Sequence, residues 1–159
     1  MSIKVSKYNA EGYFSPTEYE AMTAVLKEEE KVRKAEKEFI YGFRPKVFVC
    51  SPFAGAVEDN IQKARVYCRF ALDGGYLPFA PHLFFPQFMD DGKKAERELA
   101  LRLGKIFLDD CREIWIFGSY ISSGMKEEIA RARQKGLVIR RFNEFLKEEG
   151  YDDFCNKEL

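Results

Sequence analysis

"EIWIFGSYISSGMKEEIARARQKG", residues 113–136, decides the fold. It opens on an apolar run, Ile114-Trp115-Ile116-Phe117, that stops at Gly118. β-branched and aromatic residues in so short a run predict a buried strand. A Ser/Gly segment follows, and then a charged run with helical spacing, "KEEIARARQKG", ended by Gly136. Strand, turn and helix in this order make half of a βαβ unit. The next apolar run, "LVIRRF", supplies the second strand.

The same alternation extends upstream. "KVFVCS" reads as a first strand. "EDNIQKARVYCRFALDGG" reads as a helix with Ile61, Ala64, Cys68, Ala71 and Leu72 on one face and Gly74-Gly75 as its stop. "YLPFAP" reads as a second strand, which Pro78 either weakens or places near an edge. Residues 82–93 read as a Phe/Pro-rich loop. "KAERELALRLGKIFLDDC" reads as a helix with Leu99, Leu103, Ile106 and Phe107 inward, and "NEFLKEEG" as a short last helix. The expectation is a three-layer α/β domain of the Rossmann-like or flavodoxin-like kind. Its sheet is mostly parallel, with four to five strands flanked by helices. In such sheets ligands sit beyond the carboxyl ends of the strands. Ser51–Asn60, Pro81–Phe88 and Gly118–Glu128 all fall there.

Residues 1–44 differ. "SPTEYEAMTAVLKEEEKVRKAEKEFI" is highly charged, with Ser15-Pro16 as its cap and Met22, Val25, Val32, Ala35 and Phe39 as a thin apolar stripe. The expected organisation is a helical extension over 1–44, an α/β domain over 45–150 and a tail over 151–159. The run Glu28–Lys31 reads as a solvated face.

The chain has 159 residues, 46% hydrophobic and 15% aromatic, which suits one domain with a true core. Lys+Arg and Asp+Glu both number 26, so there is no basic excess for nucleic acid. No apolar run reaches bilayer length, and "MSIKVSKYNAEGYF" lacks the apolar core of a signal peptide. Cys50, Cys68, Cys111 and Cys155 form no CxxC pair, and there is a single histidine. Free thiols, a cytoplasmic location, no metal and no cofactor are the expectation.

Two glutamates adjoin in the first turn of the 113–136 helix. At about 100° per residue, Met125, Ile129, Ala132 and Gly136 share one line, the buried face. Glu127 falls about 200° from Met125 and faces water, whereas Glu128 falls at about −60°, on the shoulder of that face. The helix N-terminus favours negative charge, so Glu128 is expected to be ionised at neutral pH. It is either a nucleophilic carboxylate over a concave site or a first-turn glutamate that only stabilises its helix. Ser122, Ser123 and Gly124 either cap the helix or bind an anion through their amides. GxxxxGK[ST] and GxGxxG are both absent.

"VFVCSPFAGAVEDN", "APHLFFPQF" and "EIWIFGSYISSGMKEEIARA" together resemble the nucleoside 2-deoxyribosyltransferase superfamily. The similarity is nearest to a small bacterial and phage branch beside the nucleotide N-glycosidases, and runs over roughly residues 46–142. The resemblance implies a nucleophilic glutamate at Glu128 and a 5′-phosphate held by Ser122 and Gly124, six and four residues before it. It implies a base-and-sugar cradle at Ser51, Pro52, Phe53 and Gly55, extended here to Gly118. It also implies N-glycosyl cleavage or 2-deoxyribosyl transfer on a nucleoside or nucleotide, within a homo-oligomer. One departure stands out. Family enzymes carry an Asp in the helix before the third strand, and Gly104 occupies that place here. Asp109 and Asp110 lie more than a turn away, and Arg112-Glu113 starts the strand. The general acid is therefore open.

Other candidates carry two readings each. His82 either protonates a leaving base or binds phosphate, or else packs a loop. Arg102 either reaches a phosphate or makes a surface ion pair. Asn60 reads as a helix cap. Phe53, Phe84 and Phe85 either stack on a base or fill the core. Two further functions remain in play: a non-catalytic nucleotide-binding or sensor domain, and an interaction module assembled through residues 1–44.

Overall fold

The computed structural model describes residues 5–8 and 10–150; residues 1–4, 9 and the 151–159 tail with Cys155 lie outside them. The chain divides into two compact units, Met1–Phe43 and Arg44–Leu159.

In the second unit, β1 (Lys46–Cys50) pairs in parallel with β2 (Leu77–Phe79) on one side and β3 (Glu113–Phe117) on the other. β3 pairs in parallel with β4 (Val138–Phe142), and β4 runs antiparallel to β5 (Glu148–Glu149). The order is β2-β1-β3-β4-β5. Pro78 does lie in an edge strand, where its missing N–H costs no ladder bond. The chain goes from β1 outward to β2, then returns past β1 to β3 and onward to β4. The direction of travel reverses between β1 and β3, so a crevice opens above Cys50 and Phe117.

Side chains leave a strand alternately up and down, and that alternation makes two cores. Phe48, Cys50, Ile114 and Ile116 meet Leu108 of α4 (Lys94–Asp109) and Met125, Ile129 and Ala132 of α5 (Ser123–Lys135). Val47, Val49, Trp115, Phe117 and Phe142 meet Tyr67 and Ala71 of α2 (Val57–Asp73). Tyr67, absent from the face expected for α2, is buried and stacks on Phe117 at 4.2 Å.

Three expectations need correction. Residues 82–93 are not a plain loop: α3 (Pro81–Phe84) and a 3-10 turn (Phe85–Gln87) fold there, each opened by a proline in its first turn. "NEFLKEEG" is a hairpin rather than a helix. Asn143 Oδ1 accepts from the N–H groups of Phe145 and Lys147, Leu146 takes φ 60°, and Arg140 clamps Glu148 with two bonds of 2.7 Å. This side-chain turn outcompetes a helix that has no apolar face to bury.

The third correction concerns α4. Its buried residues are Gly104 and Leu108, whereas Leu99 and Ile106 are 46% and 54% exposed. Phe107, 41% exposed, keeps its ring stacked on Phe79 at 4.1 Å. Gly104 faces α3: a Cβ there would make ordinary contact with Pro81 at 3.8 Å and Phe85 at 3.9 Å. The face packed inward is thus the one that carries Gly104 and Leu108.

In the first unit, α1 (Pro16–Tyr41) buries none of its residues. Ser15 holds the N-cap position without a side-chain cap bond, and Pro16 opens the helix. Glu28 and Lys31 pair at 3.2 Å on an exposed face. Among the described residues, no helix is long and apolar enough to cross a membrane.

The two faces of α4 predict opposite mutational costs. Leu108→Ala should destabilise the protein by about 2–5 kcal/mol and Ile106→Ala by less than about 1 kcal/mol, as read by urea unfolding. Equal costs would reverse the assignment of faces.

Candidate active site

The crevice at the reversal point is a true hollow. It encloses about 180 Å³ and is walled by the loop after β1, by α3 with its 3-10 turn, by the inner face of α4 and by the head of α5. The three segments expected beyond the strand ends do meet there.

Glu128 lines the hollow. Met125 and Ile129, 2% and 5% exposed, seat α5 on the sheet on either side of it. Its side chain therefore leans back over β1 instead of out to water. Oε2 is shut off from solvent with no hydrogen-bond partner. Glu127, one residue earlier, is exposed and takes a 2.8 Å bond from Lys105. The helical-wheel separation of the two glutamates is thus seen in the coordinates.

The charge state expected for Glu128 needs correction. Burial pushes its carboxyl from the ordinary 4.5 up to about 7. A hydrogen bond from the Cys50 thiol and the charge of Lys105 pull the other way, and the charge of Glu127 adds to the rise. Cys50 is fully buried and its own pKa is raised, by burial and then by Glu128, so the thiol keeps its proton and serves as a donor. Desolvation wins over the helix end because one oxygen has neither water nor an N–H to satisfy it. Near neutral pH the carboxyl is divided between its two forms.

Ser51 begins the loop after β1, 2% exposed, and its Oγ is also buried without a partner. Its carbonyl accepts 2.7 Å from His82 Nε2, and the His82 ring stacks on Phe53 at 5.2 Å and 17°. Burial lowers the His82 pKa, with the Ser51 carbonyl opposing. The ring is therefore neutral at pH 7, its Nε2–H donated to Ser51 and its Nδ1 an acceptor. That state does not suit the proton donor or phosphate ligand expected of it. It suits a clamp that holds the β1 loop.

At the head of α5, Ser122 caps the helix: its Oγ accepts from the Met125 N–H at 3.4 Å. Ser122, Ser123 and Gly124 line the hollow alongside Glu128. Four expected site residues lie elsewhere. Pro52 and Gly118 border a smaller hollow of about 40 Å³ on the α2 side, which shares Ser51 with the first. Gly118 has φ 104°, and a Cβ there would come 3.2 Å from Pro52, so its role in the geometry is to let two loops pass closely. Gly55, with φ 94°, turns the exposed loop and lines neither hollow. Arg102 is exposed and also lines neither, because it shares the outward face of α4. Asn60 is no cap: α2 starts at Val57, and Asn60 Nδ2 ties the loop back to the carbonyls of Phe53 and Ala54.

Sequence reading missed Asp91 and Arg97, both in the wall. Arg97 lies on the line Arg97–Leu101–Gly104, the inner face of α4. A helical wheel anchored on the glycine rather than the leucines would have found it. Phe85 is buried in the wall and Phe84 is 46% exposed beside it. Among the described residues, no group of three His, Cys, Asp or Glu side chains could hold a metal ion.

The profile described as "Domain of unknown function (DUF7768)" matches residues 45–142, the span of the whole parallel sheet. The chain belongs to the DUF7768 family. That family's domain here has the fold of a solved 2-deoxyribosyltransferase from Bacillus psychrosaccharolyticus. The TM-score is 0.50, with 19% identity over 62% of this chain and 72% of that one. No curated protein matches the chain.

The raised carboxyl has a consequence for stability. A group whose pKa is higher folded than unfolded favours the fold below pH 4.5, and that contribution is lost as pH rises to about 7. Glu128→Gln removes the burden, so at pH 8 it should be more stable than the wild type by on the order of 1–3 kcal/mol. At pH 4 the difference should nearly vanish. Urea unfolding at both pH values checks this, and a pH-independent difference would place the carboxyl in water.

Proposed function

We propose that this domain cleaves the N-glycosyl bond of a nucleoside or nucleotide, with Glu128 as nucleophile. The observation that carries the reading is the Glu128 carboxyl itself. It lies at the reversal point of the sheet, in a walled hollow, with a buried oxygen that nothing in the protein satisfies. A carboxylate so placed can attack C1′ while the base departs with the bonding electron pair. Its charge also favours the oxocarbenium-like transition state. Water then adds to C1′ and frees the carboxylate, and the proton it sheds balances the one the base takes up. A second base in place of water gives 2-deoxyribosyl transfer. The fold shared with a solved 2-deoxyribosyltransferase supports the substrate class.

Ser51 and Phe53 shape the sugar-and-base side, and Ser122 and Gly124 offer their amides to the other end of the substrate. The protein is further proposed to work as a cytoplasmic homo-oligomer. The exposed Leu99, Ile106 and Phe107 on α4 support self-association.

A second reading has its own support. Gly104 carries no acid, and the His82 Nε2–H is already bound, so the hollow has no evident proton donor for a leaving base. A nucleotide-binding domain without turnover fits that arrangement.

Incubation with a panel of nucleosides and nucleotides, followed by chromatography for free base, separates the two. Cleavage should be seen, and Glu128→Gln should reduce it by at least a thousandfold while the circular dichroism spectrum is kept. The rate should rise with pH through about 7, as the carboxyl ionises. A rate that falls over that range would make Glu128 an acid instead of a nucleophile. Saturable binding with no base released would favour the second reading.

A further inference from the structure

We infer that Arg97 makes this hollow a receptor for a phosphorylated substrate, its guanidinium taking the phosphoryl group of a nucleotide. The inference deepens the function proposed above and rests on that reading for the nucleoside part of the ligand.

The argument begins with the charges on the wall. Among the lining residues, Arg97 is the one lysine or arginine, set against the carboxyls of Asp91 and Glu128. Without it the hollow would present only acids and would repel an anion. Nothing in a neutral nucleoside calls for a guanidinium, whereas a phosphoryl group matches its planar fork with two parallel hydrogen bonds.

The arginine is also free to make the exchange. Its ion pair with Asp91 spans 3.9 Å, with the two side chains 58% and 47% exposed. Such a pair contributes about 0–1 kcal/mol, so a phosphate displaces the carboxylate at little cost. The backbone beneath is fixed: Arg97 stands one turn from Leu101 and two from Gly104, on the helix face pressed toward α3. Across the hollow, Ser123 and Gly124 at the head of α5 face the same space and supply uncharged donors. Arg102, five residues on, is turned about 140° away and cannot share the task.

The test compares a nucleoside with its own 5′-monophosphate. In the wild type, kcat/KM should favour the monophosphate at least tenfold. In Arg97→Ala that preference ratio should fall at least tenfold, mainly through KM. Arg97→Lys should recover part of it, because it restores charge but not the fork. Arg102→Ala should keep the wild-type ratio. A ratio unchanged in Arg97→Ala, or a wild type with no preference, would overturn the assignment.

Titration calorimetry with the monophosphate, on the intact chain, gives a readout that needs no turnover. If no base is released from either compound, a tenfold loss of monophosphate affinity in Arg97→Ala upholds the phosphate site while glycosyl cleavage fails. Equal affinity in the two proteins overturns the site as well. Arg97 is exposed, so thermal unfolding of the variant should match the wild type and keep the comparison clean.

Discussion

The contact on which the rest depends is that of α5 with the centre of the sheet. Met125, Ile129 and Ala132 pack against Ile114, Ile116 and Cys50, and none of these is more than 5% exposed. That apolar stripe fixes how α5 is rotated about its axis. Once the rotation is set, Glu127 must face solvent and Glu128 must lean over the end of β1. The carboxyl did not seek this place on its own account. Burying a group with an unpartnered oxygen costs free energy, and the surrounding apolar contacts outweigh that cost. The outcome is a carboxyl of about pKa 7, poised where a small change in surroundings decides its charge.

Groups perturbed by burial in this way cluster in catalytic and binding hollows. Glu127, one residue earlier, stays at the surface and takes a bond from Lys105 of α4. The neighbours of Glu128 instead hold it between its two forms. Cys50 donates to it and Lys105 favours its charge, while burial and Glu127 oppose. Ser51 adds a second buried oxygen without a partner at the edge of the same space. Two orphaned oxygens on one wall are a cost shared by the loop after β1 and the head of α5.

Where the sequence was legible, periodicity was the reason. The strands at 46–50 and 113–117 and the split between Glu127 and Glu128 follow from repeats of two or 3.6 residues. Where it was not, a tertiary contact outbid the local pattern. In α4 the leucines form the stronger apolar stripe, yet the face packed inward is the one with Gly104 and Leu108. That face carries Arg97 rather than Arg102 into the wall. The ionisation of Glu128 was misjudged for a similar reason. A helix end is visible in sequence, but the loss of water around one oxygen is not. His82 belongs to the same class, because its tautomer is set by a carbonyl 31 positions away.

Gly104 sits in the wall where α4 meets α3 and brings no acid to the hollow. The same face of α4 carries Arg97 into the wall beside Asp91. The charged groups of the hollow therefore fall into two settings. Glu128 has an oxygen shut off from water, so burial governs its proton. Arg97 and Asp91 are 58% and 47% exposed, so solvent screens their attraction. One hollow thus joins a dry carboxyl to a solvated cation.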